Sequence, residues 1–257
     1  MIGILDSGLG GLSTWLALRQ DFPEANFLYL ADQAYAPYGE QREDTLLWRL
    51  QWAIRFFEKR KVEALVLACG TLSAVAYPKL QAPFPFPIFE AITPAVEQAV
   101  GLCPKGVAVL ATSASIRSNA YLHLLKEKGV EEVVQRACPL FVPLLEEGIS
   151  PRSIATKEIL SHYISPIAHA PYNVLLLGCT HFSFLSEAIS SLCPAMQLVD
   201  GGRALAHKMK LQYTPREEQG KTLFYTTGSP TAFIQKTSAL LPSLRLTVYR
   251  ADEGIKK

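Results

Sequence analysis

Two cysteines in matching settings carry the clearest chemistry in this sequence. Val66-Leu67-Ala68-Cys69-Gly70-Thr71 and Leu176-Leu177-Gly178-Cys179-Thr180-His181 each join a short apolar run to a segment able to start a helix. Such runs read as buried parallel strands, which puts both thiols at the carboxyl ends of strands. A thiol at a helix N-terminus is expected to have its thiolate stabilised, making it a usable base. His181, two residues after Cys179, is placed to hold a thiolate or to shuttle its proton. One thiol in each half of the chain, 110 residues apart, could reach one carbon from opposite faces, one removing a proton and the other returning one. Cys103, Cys138 and Cys193 lie outside such turns and read as small buried hydrophobes. Cys179-Thr180-His181 is too tight for zinc ligands and no CxxC exists, so no metal site is expected.

A second candidate is the turn Asp6-Ser7-Gly8-Leu9-Gly10-Gly11-Leu12-Ser13 after the first apolar run. Three readings stand open. It is a dinucleotide fingerprint, with Asp32 as the ribose contact, although Ser13 occupies the third glycine position. Or its exposed amides hold a small anion such as a carboxylate, with Asp6 near the reacting atom. Or its glycines serve only the geometry of a tight turn. Pro37-Tyr38-Gly39 reads as a rigid turn able to present Tyr38 or backbone groups to a ligand, or as a plain surface turn. Thr112-Ser113-Ala114-Ser115 offers hydroxyls at a helix start, where ordinary N-capping is the simpler role. Glu146 and Glu147 read as solvated charges, and His123, His162, His169 and His207 as surface or helix residues.

The elements that must position these residues alternate as βα units. Strands are expected at 2–5, 26–30, 64–67, 88–89, 106–110, 174–177, 197–199, 223–228 and 244–249. Residues 42–59 carry a helical apolar stripe, and another helix is expected at about 230–240. Pro83-Phe84-Pro85-Phe86-Pro87 must be extended, because each proline fixes its own φ and restricts the residue before it. Lys210 to Lys221 reads as a solvated loop.

The chain of 257 residues is 49% hydrophobic and 19% charged, enough for one large or two modest α/β domains and incompatible with disorder. A formal charge of +2 spread over the chain gives no footprint for nucleic acid. No apolar run reaches the roughly 20 residues that span a bilayer. No basic segment precedes the first strand, and five cysteines do not make a disulfide scaffold, so a cytoplasmic protein is expected.

Taken together, Ile4-Leu5-Asp6-Ser7-Gly8-Leu9-Gly10-Gly11, Ala36-Pro37-Tyr38-Gly39, Ala68-Cys69-Gly70-Thr71, Ala111-Thr112, Phe141-Val142-Pro143-Leu144-Leu145-Glu146, Leu177-Gly178-Cys179-Thr180-His181 and Tyr225-Thr226-Thr227-Gly228 resemble the glutamate racemases. These belong to the cofactor-independent aspartate/glutamate racemase superfamily. The resemblance covers almost the whole chain and disfavours the dinucleotide reading. It implies two similar α/β lobes with mainly parallel sheets and a cleft between them, residues 1–95 with 206–257 forming one and 96–205 the other. It implies interconversion of L- and D-glutamate without pyridoxal phosphate or metal, supplying D-glutamate for peptidoglycan, and a homodimer is the assembly it suggests. Cys69 matches the base for D-glutamate, supported by Asp6, and Cys179 the base for L-glutamate, supported by His181. Ser7, Pro37, Tyr38, Gly39, Gly70, Thr71, Thr112 and Thr180 match substrate-holding positions, and Glu146 one near the amino group. Gly70 departs from the family's usual Asn, a loss of about 1–3 kcal/mol if its partner is left unpaired. Gly70→Asn is therefore expected to tighten glutamate binding. A broader aspartate/glutamate racemase, or a weakly active binding protein, are the alternatives that departure allows.

Overall fold

The computed structural model describes residues 1–81, 83–168 and 171–251. His169 therefore lies outside the described residues, as does the end of the first expected lobe. Among the described residues ten strands run in the order β1 Ile2–Asp6, β2 Phe27–Ala31, β3 Ala64–Leu67, β4 Ile88–Glu90, β5 Val107–Ala111, β6 Val133–Ala137, β7 Val174–Leu177, β8 Gln197–Asp200, β9 Thr222–Thr226 and β10 Val248–Arg250. The helices are α1 Leu12–Asp21, α2 Glu43–Lys59, α3 Ile92–Gly101, α4 Ser113–Arg117, α5 Ala120–Glu127, α6 Phe141–Glu146, α7 Ile154–Ala168, α8 Ser186–Leu192, α9 Gly201–Gln212 and α10 Pro230–Leu240.

The strands form two wholly parallel sheets, one ordered β10-β9-β2-β1-β3-β4 and the other β6-β5-β7-β8. Parallel strands are joined by crossovers that cover both faces, so their residues are buried on both sides and read as unbroken apolar runs. On β1, Ile2 and Ile4 pack toward α1, α9 and α10, and Leu5 toward α2. In the second lobe α6, α7 and α8 cover one face of the sheet, and α3 and α5 the other.

The strand orders decide where the site falls. In the first sheet β1 lies between β2 and β3, so the chain leaves β1 to one side and returns on the other. In the second sheet β5 stands in the same relation to β6 and β7. Each sheet thus has a switch point at which adjacent crossovers diverge and leave a crevice at the strands' carboxyl ends. One crevice lies between β1 and β3, the other between β5 and β7.

Helices α3 and α9 carry the chain from one sheet to the other and back, and α9 begins under an Asp200 cap that accepts from the Gly202 and Arg203 amides at 2.9 and 3.1 Å. The expected lobe boundaries, 95/96 and 205/206, fall inside these two helices. Three expectations need correction. Strand β6 was not anticipated, because Val133-Val134-Gln135-Arg136-Ala137 is a half-buried edge strand without an apolar run. The last strand is shorter than expected, beginning only at Val248. Residues 210–212 complete α9, so the irregular segment starts at Tyr213.

Candidate active site

Both thiols open onto one cleft between the lobes. Ser7, Pro37, Tyr38, Gly39, Cys69, Gly70 and Thr71 line it from the first lobe, and Thr112, Cys179, Thr180 and His181 from the second. Cys69 follows β3 and Thr112 follows β5; Cys179 follows β7, so each lobe delivers its thiol at its own switch crevice. The cleft encloses about 490 Å³ of empty space, part of it open to solvent.

The two thiols have different neighbours. Cys69 is buried, and burial, with the nearby Asp6 carboxylate, pushes its thiol well up. The start of a helical turn beyond it, whose amides of Leu72 and Thr71 favour the thiolate, does not offset this. Burial and Asp6 therefore oppose the stabilised thiolate expected at Cys69 and favour the thiol, which has a proton to give. Asp6 ends β1 fully buried, accepting from the Gly8 amide and from Thr180 Oγ1, both at 3.0 Å. Burial raises its pKa while His181 pulls it the other way.

Cys179 Sγ lies 3.9 Å from His181 Nδ1, and His181 Nε2 lies 2.8 Å from Glu146 Oε1. Burial alone would depress His181, but its hydrogen bonds to Cys179 and Glu146 win and raise it to about 10. Glu146 also accepts from the Leu9 amide at 3.0 Å; burial opposes its ionisation, yet His181 holds it below its ordinary value. An imidazolium backed by a carboxylate faces the sulfur and can neutralise charge on it or return its proton. Glu146 thus stands behind His181, beside a second cavity shared with Gln33 and Lys236, and not among the residues lining the cleft.

Hydroxyls from both lobes meet beside the thiols. Thr71 Oγ1 and Thr112 Oγ1 are 2.9 Å apart, and Ser115 Oγ lies 3.0 Å from Thr112 Oγ1. Thr112 also caps α4, accepting from the Ser115 amide at 3.3 Å, so the capping role expected of it is combined with a place in the cleft. Such a cluster suits a carboxylate, which accepts several hydrogen bonds at once. Among the described residues no group of three or more His, Cys, Asp and Glu has the spacing to hold a metal ion.

The comparisons with known proteins agree with this architecture. Residues 16–209 match the family model described as Asp/Glu/Hydantoin racemase. The chain belongs to that racemase family. A glutamate racemase of Aquifex aeolicus is 37% identical over 227 residues, 88% of each chain. A crystal structure of the Francisella tularensis glutamate racemase in complex with D-glutamate superposes with a TM-score of 0.85 at 27% identity, covering 98% of this chain and 97% of that one. The Bacillus anthracis isoform RacE1 shares the fold with a TM-score of 0.91 over 100% of this chain, at 24% identity.

Within this racemase fold several readings of single residues change. Asp32 is not a ribose contact. It is 1% exposed and holds Arg49 through two contacts, Nε to Oδ2 at 2.7 Å and Nη2 to Oδ1 at 2.6 Å. Thr227 donates to it at 2.8 Å and the Tyr38 hydroxyl donates to it as well. Tyr38, which lines the cleft, thus commits its hydroxyl to Asp32. The rings of Tyr35, Trp48 and Trp52 surround the Arg49 guanidinium at 4.0–4.8 Å. Nothing in the spacing of Asp32 and Arg49 signalled a buried pair; a charge inside an apolar helical stripe was the available clue.

The glycine turn also reads differently. Gly8 and Gly10 do not need a left-handed backbone. A Cβ on Gly8 would strike Glu146, and one on Gly10 would strike Thr180 and His181. These glycines let Glu146, Thr180 and His181 of the second lobe press against the first lobe. Tyr29 keeps the turn in place, donating to the Gly8 carbonyl at 2.8 Å. Gly70 is not a gap awaiting an amide: a Cβ there would overlap the backbone carbonyl oxygen of Gly178. The tighter glutamate binding expected of Gly70→Asn therefore requires that contact to shift first. Cys138, expected to be inert, lines the cleft with Pro139, Val142 and Pro143; lying after an unanticipated edge strand, it carried no turn signal.

Proposed function

We propose that this chain interconverts L- and D-glutamate by a two-thiol mechanism without a cofactor. One observation carries the reading: two thiols from different lobes share one cleft and have opposite proton-handling neighbours. Cys69 is held as a thiol by burial and Asp6, and Cys179 faces an imidazolium. With Cys179 as the base for L-glutamate, its sulfur takes the α-proton on one face. The Cys69 thiol then gives its proton to the opposite face, releasing D-glutamate and leaving each sulfur in the other's former state. The reverse turnover restores both. Between the two transfers, negative charge spreads from the α-carbon onto the substrate carboxylate, where the Thr71 and Thr112 hydroxyls stabilise it. Asp6 and the His181–Glu146 pair act as the local proton reservoirs. Closing the cleft keeps water from the carbanion and strengthens each of these contacts.

The lobes that close are residues 1–95 with 206–257 and residues 96–205, hinged through α3 and α9. Ser7, Pro37, Gly39 and Thr180 complete the substrate's surroundings, and the product D-glutamate serves peptidoglycan synthesis in the cytoplasm. A dimer belongs to the same reading and is tested by light scattering. The enzymatic test is NMR of Cα–H in D2O with L- and D-glutamate and L- and D-aspartate, no cofactor added. Deuterated product of inverted configuration from glutamate alone is expected. Equal turnover of aspartate would replace this reading with a broader racemase, and no exchange with any of the four would refute it.

A further inference from the structure

Ser13 stands where a dinucleotide fingerprint would carry its third glycine, and its side chain has a use that glycine could not supply. From the first turn of α1 its hydroxyl reaches across the lobe boundary. It donates to the Gly10 carbonyl at 2.8 Å and to the Thr180 carbonyl at 3.1 Å. The Gly10 carbonyl also accepts from the Ser13 amide at 3.0 Å, so it does not depend on the hydroxyl. The distinctive contact is the one to Thr180, which lies between Cys179 and His181 in the chain. The first lobe grips Thr180 a second time, through its side chain, which donates to Asp6 Oδ2 at 3.0 Å. The Thr180 carbonyl belongs to the peptide plane that carries the His181 amide, and that plane is rigid. Fixing it fixes the direction in which the His181 side chain leaves the backbone. On its far side the ring is held by Glu146 at 2.8 Å, and Glu146 by the Leu9 amide at 3.0 Å. Asp6, Leu9 and Ser13 all belong to the first lobe, while the Cys179–His181 pair they brace belongs to the second.

We propose that Ser13 is a positioning residue for the Cys179–His181 pair: by holding the Thr180 carbonyl from the other lobe, it keeps the His181 ring facing the thiol. The inference rests on the two-thiol reading. Without the hydroxyl, the stretch from Cys179 to His181 keeps the Asp6 contact of Thr180 but loses the one that sets the tilt of the peptide. His181 Nδ1 is already 3.9 Å from Cys179 Sγ, so a small tilt breaks the contact. Proton transfer at Cys179 then slows, and transfer at Cys69 does not. L- and D-glutamate have equal free energies, so kcat/KM falls by one factor in both directions and does not say which thiol is affected. An isotope effect does. With the Cys179 transfer slower, breaking the Cα–D bond of L-glutamate, which Cys179 carries out, limits the rate more completely. Breaking that of D-glutamate, at Cys69, limits it less.

The test measures kcat/KM, and the isotope effect on it with α-deuterated L- and D-glutamate, for the wild-type protein, Ser13→Ala and Ser13→Thr. Loss of one hydrogen bond is expected to lower kcat/KM about 3–10-fold in Ser13→Ala. The isotope effect is expected to rise for L-glutamate and fall for D-glutamate, so that their ratio grows about twofold. Ser13→Thr keeps the hydroxyl, and Ser13 borders an open groove beside Leu16, Ala17 and Ser183 with room for a methyl group. It is therefore expected to stay within about twofold of the wild type in both readouts. Undiminished kcat/KM in Ser13→Ala, a loss with the isotope ratio unmoved, or a threonine variant as impaired as the alanine one would each overturn the proposal. Alkylation by iodoacetamide reads the pair without turnover. In Ser13→Ala its rate at Cys179 relative to Cys69 is expected to fall about 3–10-fold, because a thiolate that loses its imidazolium is less populated. An unchanged ratio would overturn the proposal whether or not the protein racemises. Absence of racemisation in the wild-type protein would refute the two-thiol reading instead, so the two failures are told apart.

Discussion

Replacing Glu146 by Gln tests whether His181 works as an imidazolium. Gln keeps an oxygen 2.8 Å from His181 Nε2 and at the Leu9 amide, but removes the charge. His181 is raised from 6.5 to about 10 against the depressing effect of burial, by Cys179 and Glu146 together. At about 1.36 kcal/mol per pH unit, that rise corresponds to about 5 kcal/mol of preference for the protonated form. Glu146 is one of the two partners that hold this proton, so removing its charge is expected to lower the His181 titration by about one to two pH units. The sign for stability follows. A histidine raised on folding stabilises the native state fully below pH 6.5 and loses that contribution as pH climbs through about 10. In Glu146→Gln the fall in stability between those limits shrinks by about 2 kcal/mol. For catalysis, the alkaline limb of kcat/KM moves to lower pH by the same one to two units, and kcat/KM near neutrality drops about 10–30-fold. L- and D-glutamate are enantiomers of equal free energy, so the drop must be identical in both directions; only kcat and KM individually can differ. The assay is the pH profile of racemisation followed by circular dichroism, with NMR titration of the His181 ring and urea unfolding at pH 6.5 and 10. An alkaline limb that stays within about 0.3 pH units of the wild type would refute the argument.

Cys69→Ala and Cys179→Ala are each expected to abolish racemisation while the fold survives. Cys69→Ala should still exchange the α-proton of L-glutamate and Cys179→Ala that of D-glutamate, seen by NMR in D2O; substantial inversion by either variant would end the two-base account. Asp32→Asn removes one charge of a pair in which both side chains are 1% exposed, and unfolding in urea is expected to show a loss of about 3–5 kcal/mol. Tyr38→Phe leaves Asp32 without one donor, a cost of about 1–3 kcal/mol in stability, yet kcat should stay within about threefold because the hydroxyl faces Asp32 and not substrate. A loss in kcat of about 100-fold with stability unchanged would place that hydroxyl at the substrate after all.

The residues most legible in the sequence were those whose local pattern determines their position. Cys69 and Cys179 each follow four consecutive buried strand residues, and a parallel strand buried on both faces announces itself as an apolar run. Because the chain must turn at the end of such a strand, the thiols could be placed at strand ends before any long-range contact was known. The partners of those thiols depend on how the lobes meet, and no local pattern records that. Glu146 lies 35 residues from His181 and 137 from Leu9; its own surroundings in the sequence read as a solvated charge, and only the resemblance gave it a place, near the substrate's amino group. Gly8, Gly10 and Gly70 read as turn residues or as a lost side chain, yet what each excludes is a Cβ that would collide with Glu146, with Thr180 and His181, or with the Gly178 carbonyl. The same physics gives these errors a direction. A site assembled between two lobes needs small residues where the halves touch, and one lobe's sequence shows only the smallness. Glycines without a left-handed backbone, next to residues of catalytic type, are therefore a signal for lobe contact, and their Cβ atoms are the probe: added one at a time, each should harm inversion in proportion to how immovable the atom it meets is. On that scale Gly10, facing Thr180 and the His181 ring that Glu146 holds, ranks above Gly8, facing the end of a glutamate side chain.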